Sequence, residues 1–373
     1  MSKIKLLVSK IGANITLSNS NRSAANADFL YFLRTLDHSI FEVTVITHIT
    51  RNTEIPGPLL LKEIQHEDLD FNDYDSIVIF NGSYNWFGGA ECLNLKALYN
   101  KLAHSSIPIF WANTDGQLIM KQIEPLVKNR KWKDDYVDGK MYIDPERVTY
   151  ITQARKLESI KKLIKSNINH VQTDKIVHFP WDQTIMSKHA NYFRKRIVPM
   201  DKRQWHFIYG GAPRNTYRRK RIELFYGSIP DSFNVKLFGN LNGLKVENCW
   251  VSGKVSYQQF VKETMEGKAT IILGDEFYED NFHTLRMYES ILASTIVLVD
   301  NKFDSNHLFF GDDSRFDICY VSSGQEAVKV LIDVSKNYPG GLDQFAQDQY
   351  DCINAKIDTL TLKANLTEIL KDA

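Results

Sequence analysis

The chain has 373 residues, of which 43% are hydrophobic and 24% are charged, and its formal net charge is +1. This length is too great for one ordinary core and suits two domains of similar size. The four cysteines lie far apart without C-x-x-C spacing, which argues against a zinc site and a disulfide framework and favours a reducing compartment. No stretch approaches membrane-spanning length, and the chain leads directly into an apolar strand, so we expect an intracellular soluble protein without a membrane partner.

Apolar segments in the first half alternate with helical or polar segments, which is the pattern of a parallel doubly wound sheet. The loop after the first strand has a single glycine, Gly12, and lacks G-x-G-x-x-G, so a nicotinamide oxidoreductase fits this sequence worst. The pattern predicts a helix over 28–36 and strands over 3–8, 43–47, 76–80, 107–111, 148–151 and 176–179.

Polar loops follow two of these strands, at 81–89 and 112–117. Ligands collect at the carboxyl ends of parallel strands, so Asp115 is a candidate carboxylate at the mouth of a cleft. A lone loop aspartate is more often a turn former. Asp28 could cap the first helix or face the cleft between the domains.

The segment 127–140 mixes cations with aromatic side chains, among them Lys128, Arg130, Lys131 and Trp132. This composition suits a phosphate backbone and stacked bases. A solvated charged surface is the commoner explanation of such a run.

A polar stretch through Lys202 is the expected linker, and a second domain opens with a strand that ends at Tyr209. Gly210 and Gly211 allow the backbone to approach a ligand closely. Arg214 and Arg218 are four residues apart at the start of a helix, so both can point at one anion. We expect a strand over 234–240, a turn over 251–256 and a mostly helical segment over 323–373.

Residues 269–300 form the clearest βαβ pattern, with strands at 269–274 and 295–299 and a helix from about Phe282. The helix start offers unpaired N–H groups to an anion such as a diphosphate. Arg286 and Glu289 share a face of this helix and could hold a phosphate and a pair of sugar hydroxyls. A surface ion pair is the alternative.

Several collinear motifs together resemble the DNA β-glucosyltransferases of T-even bacteriophages, which glucosylate 5-hydroxymethylcytosine. They lie in both halves and cover most of the chain outside its termini. The most specific is GDEFYEDNFHTLRMYES (274–290). The others are NDYDSIVIFNGSYNWFGG (72–89), TDG (114–116), VKNRKW (127–132), FIYGGAPRNTYRRK (207–220), LFGN (237–240), SGKV (252–255) and VDNKFDSNH (299–307).

The resemblance implies an α/β protein of the GT-B class, with two Rossmann-like doubly wound domains that face each other across a deep cleft. It places the acceptor and DNA on residues 1–185, with a final helix at about 356–373 packing back on them, and the UDP-sugar on 186–355. The implied activity is an inverting glycosyltransferase that moves a sugar, glucose as first choice, to 5-hydroxymethylcytosine flipped out of phage DNA. The implied setting is the cytoplasm of the infected bacterial host, where such a modification evades restriction, and we expect a monomer.

The resemblance also assigns roles to individual residues. Asp115 corresponds to the general base. The sugar or acceptor is assigned to Asp28, Asn85, Asp182 and Asp275, and DNA to Lys128, Arg130, Lys131 and Trp132. UDP is assigned to Gly211, Arg214, Arg218, Phe238, Gly239, Val255, Tyr278, Arg286 and Glu289. By analogy we expect a Mg²⁺ or Mn²⁺ ion on the diphosphate, without a dedicated metal site in the protein.

Three positions depart from the family pattern. Asp28 and Asp182 stand where the family has glutamates, and Ala212 stands where it has a serine. Each aspartate is one methylene shorter, so a direct hydrogen bond to a sugar or acceptor hydroxyl could be bridged by water. A different donor such as UDP-arabinose, a GT-B transferase with a non-DNA acceptor, and a catalytically silent nucleotide- or DNA-binding protein remain the alternatives.

Overall fold

The protein consists of two α/β units, each built on a parallel sheet. Among the described residues, the first unit runs through Trp181 and also contains the last helix from Leu360, and the second runs from Asp182 to Thr359. The computed structural model describes residues 2–9, 32–47, 62–65, 69–80, 102, 104–113, 145–158, 175–186, 194, 196–213, 215–253, 255 and 257–372.

The first unit contains a seven-stranded sheet in the order β3-β2-β1-β4-β5-β6-β7, and all its described pairs are parallel. The chain steps outward from β1 in one direction and then from β4 in the other, which is doubly wound topology. The strands are β1 Ile4–Ser9, β2 Phe41–Thr47, β3 Lys62–Gln65, β4 Ser76–Phe80, β5 Ile109–Asn113, β6 Val148–Thr152 and β7 Ile176–His178.

The second unit contains a six-stranded parallel sheet in the order β10-β9-β8-β11-β12-β13. Five residues of its strand β12 are all buried, which explains why this strand is a continuous apolar run in the sequence. The strands are β8 Trp205–Gly210, β9 Val235–Phe238, β10 Trp250–Ser252, β11 Gly267–Ile272, β12 Ile296–Asp300 and β13 Tyr320–Val321.

Six helices have described bounds, and side-chain caps mark the starts of two of them. The Asn215 side chain accepts a hydrogen bond from the N–H of Arg218 (2.8 Å), and the Ser323 side chain accepts one from the N–H of Glu326 (3.2 Å). These caps satisfy N–H groups that the helix itself leaves unpaired. The helices are α1 Thr216–Tyr226, α2 Tyr257–Met265, α3 Leu285–Leu292, α4 Gly324–Asn337, α5 Gly341–Lys356 and α6 Thr359–Lys371.

Buried polar side chains connect helices to the second sheet. The amide of Gln349 on α5 accepts a hydrogen bond from the N–H of Val297 (2.9 Å) and donates to the carbonyl of the same residue (3.0 Å). The Tyr226 hydroxyl on α1 accepts from the N–H of Ile271 (2.9 Å) and lies 3.1 Å from the carbonyl oxygen of Ile208. Such satisfied buried groups specify which helix face meets the sheet.

The predicted elements differ from the structure at three places. Val251 and Ser252, expected in a turn, lie in strand β10. The helix expected from Phe282 begins at Leu285, because the backbone of Thr284 is still extended (φ −113°, ψ 145°). The sequence pattern does not predict the edge strands β3 and β13. The strand over 76–80 and the helical segment after 323 are confirmed.

None of the helices in the described residues combines the length and the apolar character that a membrane crossing requires.

Candidate active site

Loops from neighbouring strands of the second sheet meet at one edge. Strands β9, β8 and β11 are adjacent and parallel, so the residues that follow them lie side by side. These residues are Gly211 after β8, Gly239 after β9 and Asp275 after β11. The carboxyl edge of a parallel sheet is the usual ligand site of such folds, so this is the candidate active site within the second unit.

Two glycines allow the backbones of neighbouring loops to touch. The N–H of Gly211 donates to the carbonyl of Phe238 (2.9 Å). Gly239 has φ of +129°, and a Cβ there would lie 2.0 Å from the carbonyl oxygen of Gly211. A Cβ on Gly211 would lie 2.8 Å from Nη1 of Arg286. A side chain at Gly239 would collide with the loop after β8, and one at Gly211 would fill the space in front of the Arg286 guanidinium.

Two arginines from different helices converge on the side chain of Tyr209 in β8. The Nε–H of Arg218 on α1 donates to the Tyr209 hydroxyl at 3.3 Å. The guanidinium of Arg286 on α3 lies over the Tyr209 ring, 5.2 Å from its centroid, and 5.8 Å from the ring of Phe260 on α2. Tyr209 is completely buried. We call Arg218 and Arg286 the arginine pair. The rings of Tyr209 and Phe260 lie next to it.

The electrostatics of this cluster follow from its burial. Burial by itself would raise the pKa of Tyr209, but the charges of Arg218 and Arg286 outweigh it and leave that pKa below its ordinary value. Burial lowers the pKa of Arg286, and the neighbouring charge of Arg218 adds to the effect. The pKa of Arg218 shifts upward instead, because Tyr209 and Asp275 together outweigh the effect of burial. Because a guanidinium group stays protonated in proteins, two positive charges lie close together, and an anion is the ligand that relieves their repulsion.

Two buried carboxylates border the arginine pair. Asp275 is 1% exposed, and its Oδ2 lies 3.8 Å from Nη1 of Arg218. Glu289 is 5% exposed, and its negative charge acts against the lowering of the Arg286 pKa. This burial is not that of an ordinary surface ion pair. Tyr278 follows Asp275 in the 3-10 turn Glu276–Tyr278, is also buried, and contributes to the raised pKa of Arg218.

The predicted UDP residues that the structure describes fall mainly at this edge. Close contacts join Gly211, Phe238 and Gly239, and side-chain contacts or charge interactions join Arg218, Asp275, Tyr278, Arg286 and Glu289. Val255 is partly buried shortly after β10. Asp182 is buried in the 3-10 turn Trp181–Ile185.

The remaining predicted site residues lie outside the described residues. They are Asp28, Asn85, Asp115, Lys128, Arg130, Lys131, Trp132 and Arg214.

Sequence reasoning missed three side chains of this region. Tyr209 receives both arginines, Phe260 packs beneath Arg286, and the buried hydroxyl of Ser252 has no hydrogen-bond partner among the described residues. The position of Tyr209, at the end of a buried strand and directly before two glycines, is the signal that could have identified it. Phe260 carries no comparable signal because it is one apolar residue of an amphipathic helix.

Known proteins share this sequence pattern. A family model described as Bacteriophage T4 beta-glucosyltransferase matches residues 8–184. The DNA beta-glucosyltransferase of Enterobacteria phage T4 is 29% identical over 271 residues, which cover 70% of this chain and 73% of that relative. Over these residues the chain is similar to the T4 β-glucosyltransferase family. The resemblance inferred from the motifs is therefore confirmed.

Solved structures of T4 phage β-glucosyltransferase (BGT) have the same fold. A mutant of that enzyme in complex with UDP-glucose has a TM-score of 0.76, and the enzyme with UDP and Mn²⁺ has 0.74. Each is 23% identical and covers 98% of this chain and 99% of its own. An alpha-glucosyltransferase in complex with UDP and a 13-mer DNA containing an HMU base has 0.59 at 10% identity, over 99% and 100% of the two chains. The predicted GT-B class, with two Rossmann-like domains, is confirmed.

Metal ligands are sparse in the part of the chain that the structure describes. No group of three or more His, Cys, Asp or Glu side chains there could hold a metal ion. Asp275 is one of the two carboxylates beside the arginine pair, and Arg218 lies next to it.

Proposed function

We propose that this protein is an inverting glucosyltransferase that moves glucose from UDP-glucose to the hydroxymethyl group of 5-hydroxymethylcytosine in DNA. The observation that carries the proposal is the buried arginine pair at the carboxyl edge of the second sheet, in a chain that is similar to the T4 β-glucosyltransferase family. Two close cations fit the diphosphate of a sugar nucleotide better than a neutral ligand.

In this proposal the second unit binds UDP. Arg218 and Arg286, with Arg214, hold the diphosphate, while the carboxylate of Glu289 accepts hydrogen bonds from the two ribose hydroxyls. The close loops at Phe238 and Gly239, with Val255, line the nucleoside. Since Glu289 lies three residues after Arg286 in α3, ribose and diphosphate are recognised by adjacent helical turns.

The chemistry requires a base on the acceptor side and cations on the leaving-group side. We assign Asp115 as the general base that takes the proton from the hydroxymethyl oxygen of a base flipped out of the duplex. The hydroxymethyl oxygen attacks the anomeric carbon while the bond between that carbon and the UDP oxygen breaks, so the configuration at the anomeric carbon inverts. The arginine pair stabilises the negative charge that develops on UDP. When a Mg²⁺ or Mn²⁺ ion is bound to the diphosphate, it neutralises part of the same charge.

Glucose is the preferred sugar because the T4 relative is named a β-glucosyltransferase. Asp28, Asp182 and Asp275 are assigned to the sugar or the acceptor, together with Asn85. The shorter side chains at positions 28 and 182 are the reason to compare UDP-arabinose with UDP-glucose in the same assay.

The acceptor is assigned to the N-terminal domain predicted from the sequence, residues 1–185 with the final helix at about 356–373. Lys128, Arg130, Lys131 and Trp132 are proposed to contact DNA phosphates and bases, so binding to duplex DNA should weaken steeply as salt rises. A protein that acts on phage DNA would work, as a monomer, in the cytoplasm of an infected bacterium and would help the phage to evade restriction.

The decisive experiment incubates the purified protein with duplex DNA and either UDP-glucose or UDP-arabinose, followed by mass spectrometry of the released nucleosides. We expect a hexose adduct on 5-hydroxymethylcytosine and none on DNA with unmodified cytosine. A pentose adduct would change the donor but keep the reaction. Absence of any nucleoside adduct, while UDP still binds, would support a silent nucleotide-binding protein or a different acceptor instead.

A further inference from the structure

Tyr209 is the residue that both members of the arginine pair contact. Its ring is completely buried, its hydroxyl accepts a hydrogen bond from Nε of Arg218 (3.3 Å), and its face carries the guanidinium of Arg286. The same hydroxyl lies 3.0 Å from the position of a Cβ on Gly211. Tyr209 thus contacts both cations at the point where the loop after β8 begins.

A second arginine on the same helix shows a different arrangement. Arg221, three residues after Arg218, donates from Nε to the carboxylate of Asp300 (2.8 Å) and forms an ion pair with it. Its charge is therefore balanced by a full negative charge. Arg218 has a phenol as its hydrogen-bonding partner, and the carboxylate of Asp275 remains at 3.8 Å, near the outer limit of an ion pair.

The difference matters because a tyrosine hydroxyl can accept a hydrogen bond without carrying a full negative charge, whereas an ionised carboxylate always carries one. A carboxylate in direct contact would neutralise Arg218 and compete with any anionic ligand. Long arginine side chains usually lose rotamer freedom when a ligand binds, and this loss costs binding free energy. Two guanidinium groups that already contact one tyrosine are ordered before the ligand arrives, so this cost is smaller.

We propose that Tyr209 is a positioning residue, which holds Arg218 away from Asp275 and supports Arg286, so that both cations meet the diphosphate of the donor. This inference rests on the proposed function, and it adds a residue that contacts neither the sugar nor the reacting atoms. Tyr209 is itself fixed by β8 and by the ring of Tyr226, whose centroid lies 5.4 Å away.

The test compares UDP with uridine as ligands of a Tyr209→Phe variant. Removal of a hydrogen bond to a charged group should raise the Kd for UDP about tenfold to a hundredfold. The Kd for uridine should stay within about twofold of the wild-type value, because uridine has no diphosphate. General damage to the fold would weaken both ligands together, so the ratio of the two constants separates positioning from a merely structural role.

Tyr226→Phe is the matched control. It also removes one buried tyrosine hydroxyl of the same unit, but this hydroxyl bonds to the backbone at Ile208 and Ile271. We expect it to lower the melting temperature while leaving the UDP-to-uridine ratio of Kd values unchanged. If Tyr209→Phe folds poorly, 4-fluorophenylalanine at position 209 keeps the shape of the ring without a hydroxyl and should give the same loss for UDP.

A second substitution tests the role of Asp275. In the Tyr209→Phe background, Asp275→Asn should recover part of the UDP affinity, because it removes the carboxylate that would otherwise capture Arg218. No recovery would overturn the idea that Tyr209 keeps these two residues apart. An unchanged Kd for UDP in Tyr209→Phe, or an equal rise for UDP and uridine, would overturn the positioning role altogether.

These outcomes are distinguishable from a failure of the proposed function. If the wild-type protein binds UDP but transfers no sugar to hydroxymethylated DNA, the proposed acceptor is wrong, while the binding comparison still decides the role of Tyr209. If the wild-type protein does not bind UDP at all, both proposals fail.

Discussion

The substitution Gly211→Ala tests whether the space before Arg286 is where the donor binds. The new Cβ would lie 2.8 Å from Nη1 and 3.0 Å from Nη2 of Arg286. The guanidinium would have to retreat by about 0.6 Å to reach an ordinary contact of 3.4 Å. Because the obstructed atoms are the end of a flexible side chain, the protein should fold, but one charged hydrogen bond to the diphosphate should be lost. That loss is worth about 1.5–3 kcal/mol, or about tenfold to a hundredfold in Kd for UDP.

Calorimetry with UDP and a thermal melt measure the two effects separately. The backbone of Gly211 is not in the left-handed region, so alanine there imposes no backbone strain, and the melting temperature should change little. Gly239→Ala is the contrast, since its Cβ would lie 2.0 Å from a backbone oxygen and its φ is +129°. Backbone strain of this kind costs about 1–3 kcal/mol, which lowers the melting temperature by several degrees. Gly253→Ala, whose Cβ meets nothing within 4 Å, is the control for stability.

The reasoning would be refuted by two results. Full UDP affinity in Gly211→Ala would mean that the diphosphate does not contact Arg286 from this side. A wild-type melting temperature in Gly239→Ala would mean that the loops after β8 and β9 are not as close as the structure places them.

Three other substitutions test the remaining assignments. Asp115→Asn should reduce turnover about 10²–10⁴-fold, the usual size of general base catalysis, while UDP affinity is retained; full turnover would remove Asp115 from the mechanism. Glu289→Gln should weaken both UDP and uridine about tenfold to a hundredfold, because the ribose loses a charged acceptor, whereas 2′,3′-dideoxy-UDP should not distinguish the variant from the wild type. Burial and the charge of Lys268 lower the pKa of His206, so protonation below about pH 6.5 favours the unfolded state and the free energy of unfolding should fall as the pH drops. His206→Gln should flatten this fall in denaturant titrations at pH 7 and pH 5, and an unchanged slope would assign it to other groups.

Much of the fold could be predicted because its strands are continuous apolar runs. Strand β4 matches its predicted bounds, and the predicted strands 43–47, 148–151 and 295–299 overlap β2, β6 and β12 with shifts of one or two residues. Edge strands carry a weaker signal because one side faces solvent. The predicted turn over 251–256 overlaps the end of β10, whose Trp250 and Val251 are exposed. The helix α3 begins later than its apolar period suggests, because its N-cap residue Thr284 has an extended backbone.

Local spacing in the sequence was enough to nominate Arg218, Arg286 and Glu289, since residues three or four apart on a helix share a face. It was also enough to associate glycine-rich strand ends with a ligand. Only the tertiary structure shows that Arg218 and Arg286, 68 residues apart on two helices, contact the same tyrosine. It also places Asp275 at 3.8 Å from Arg218 and buries Glu289. Such convergence depends on the order of strands in the sheet and on the rotamers of long side chains, and neither has a period along the chain.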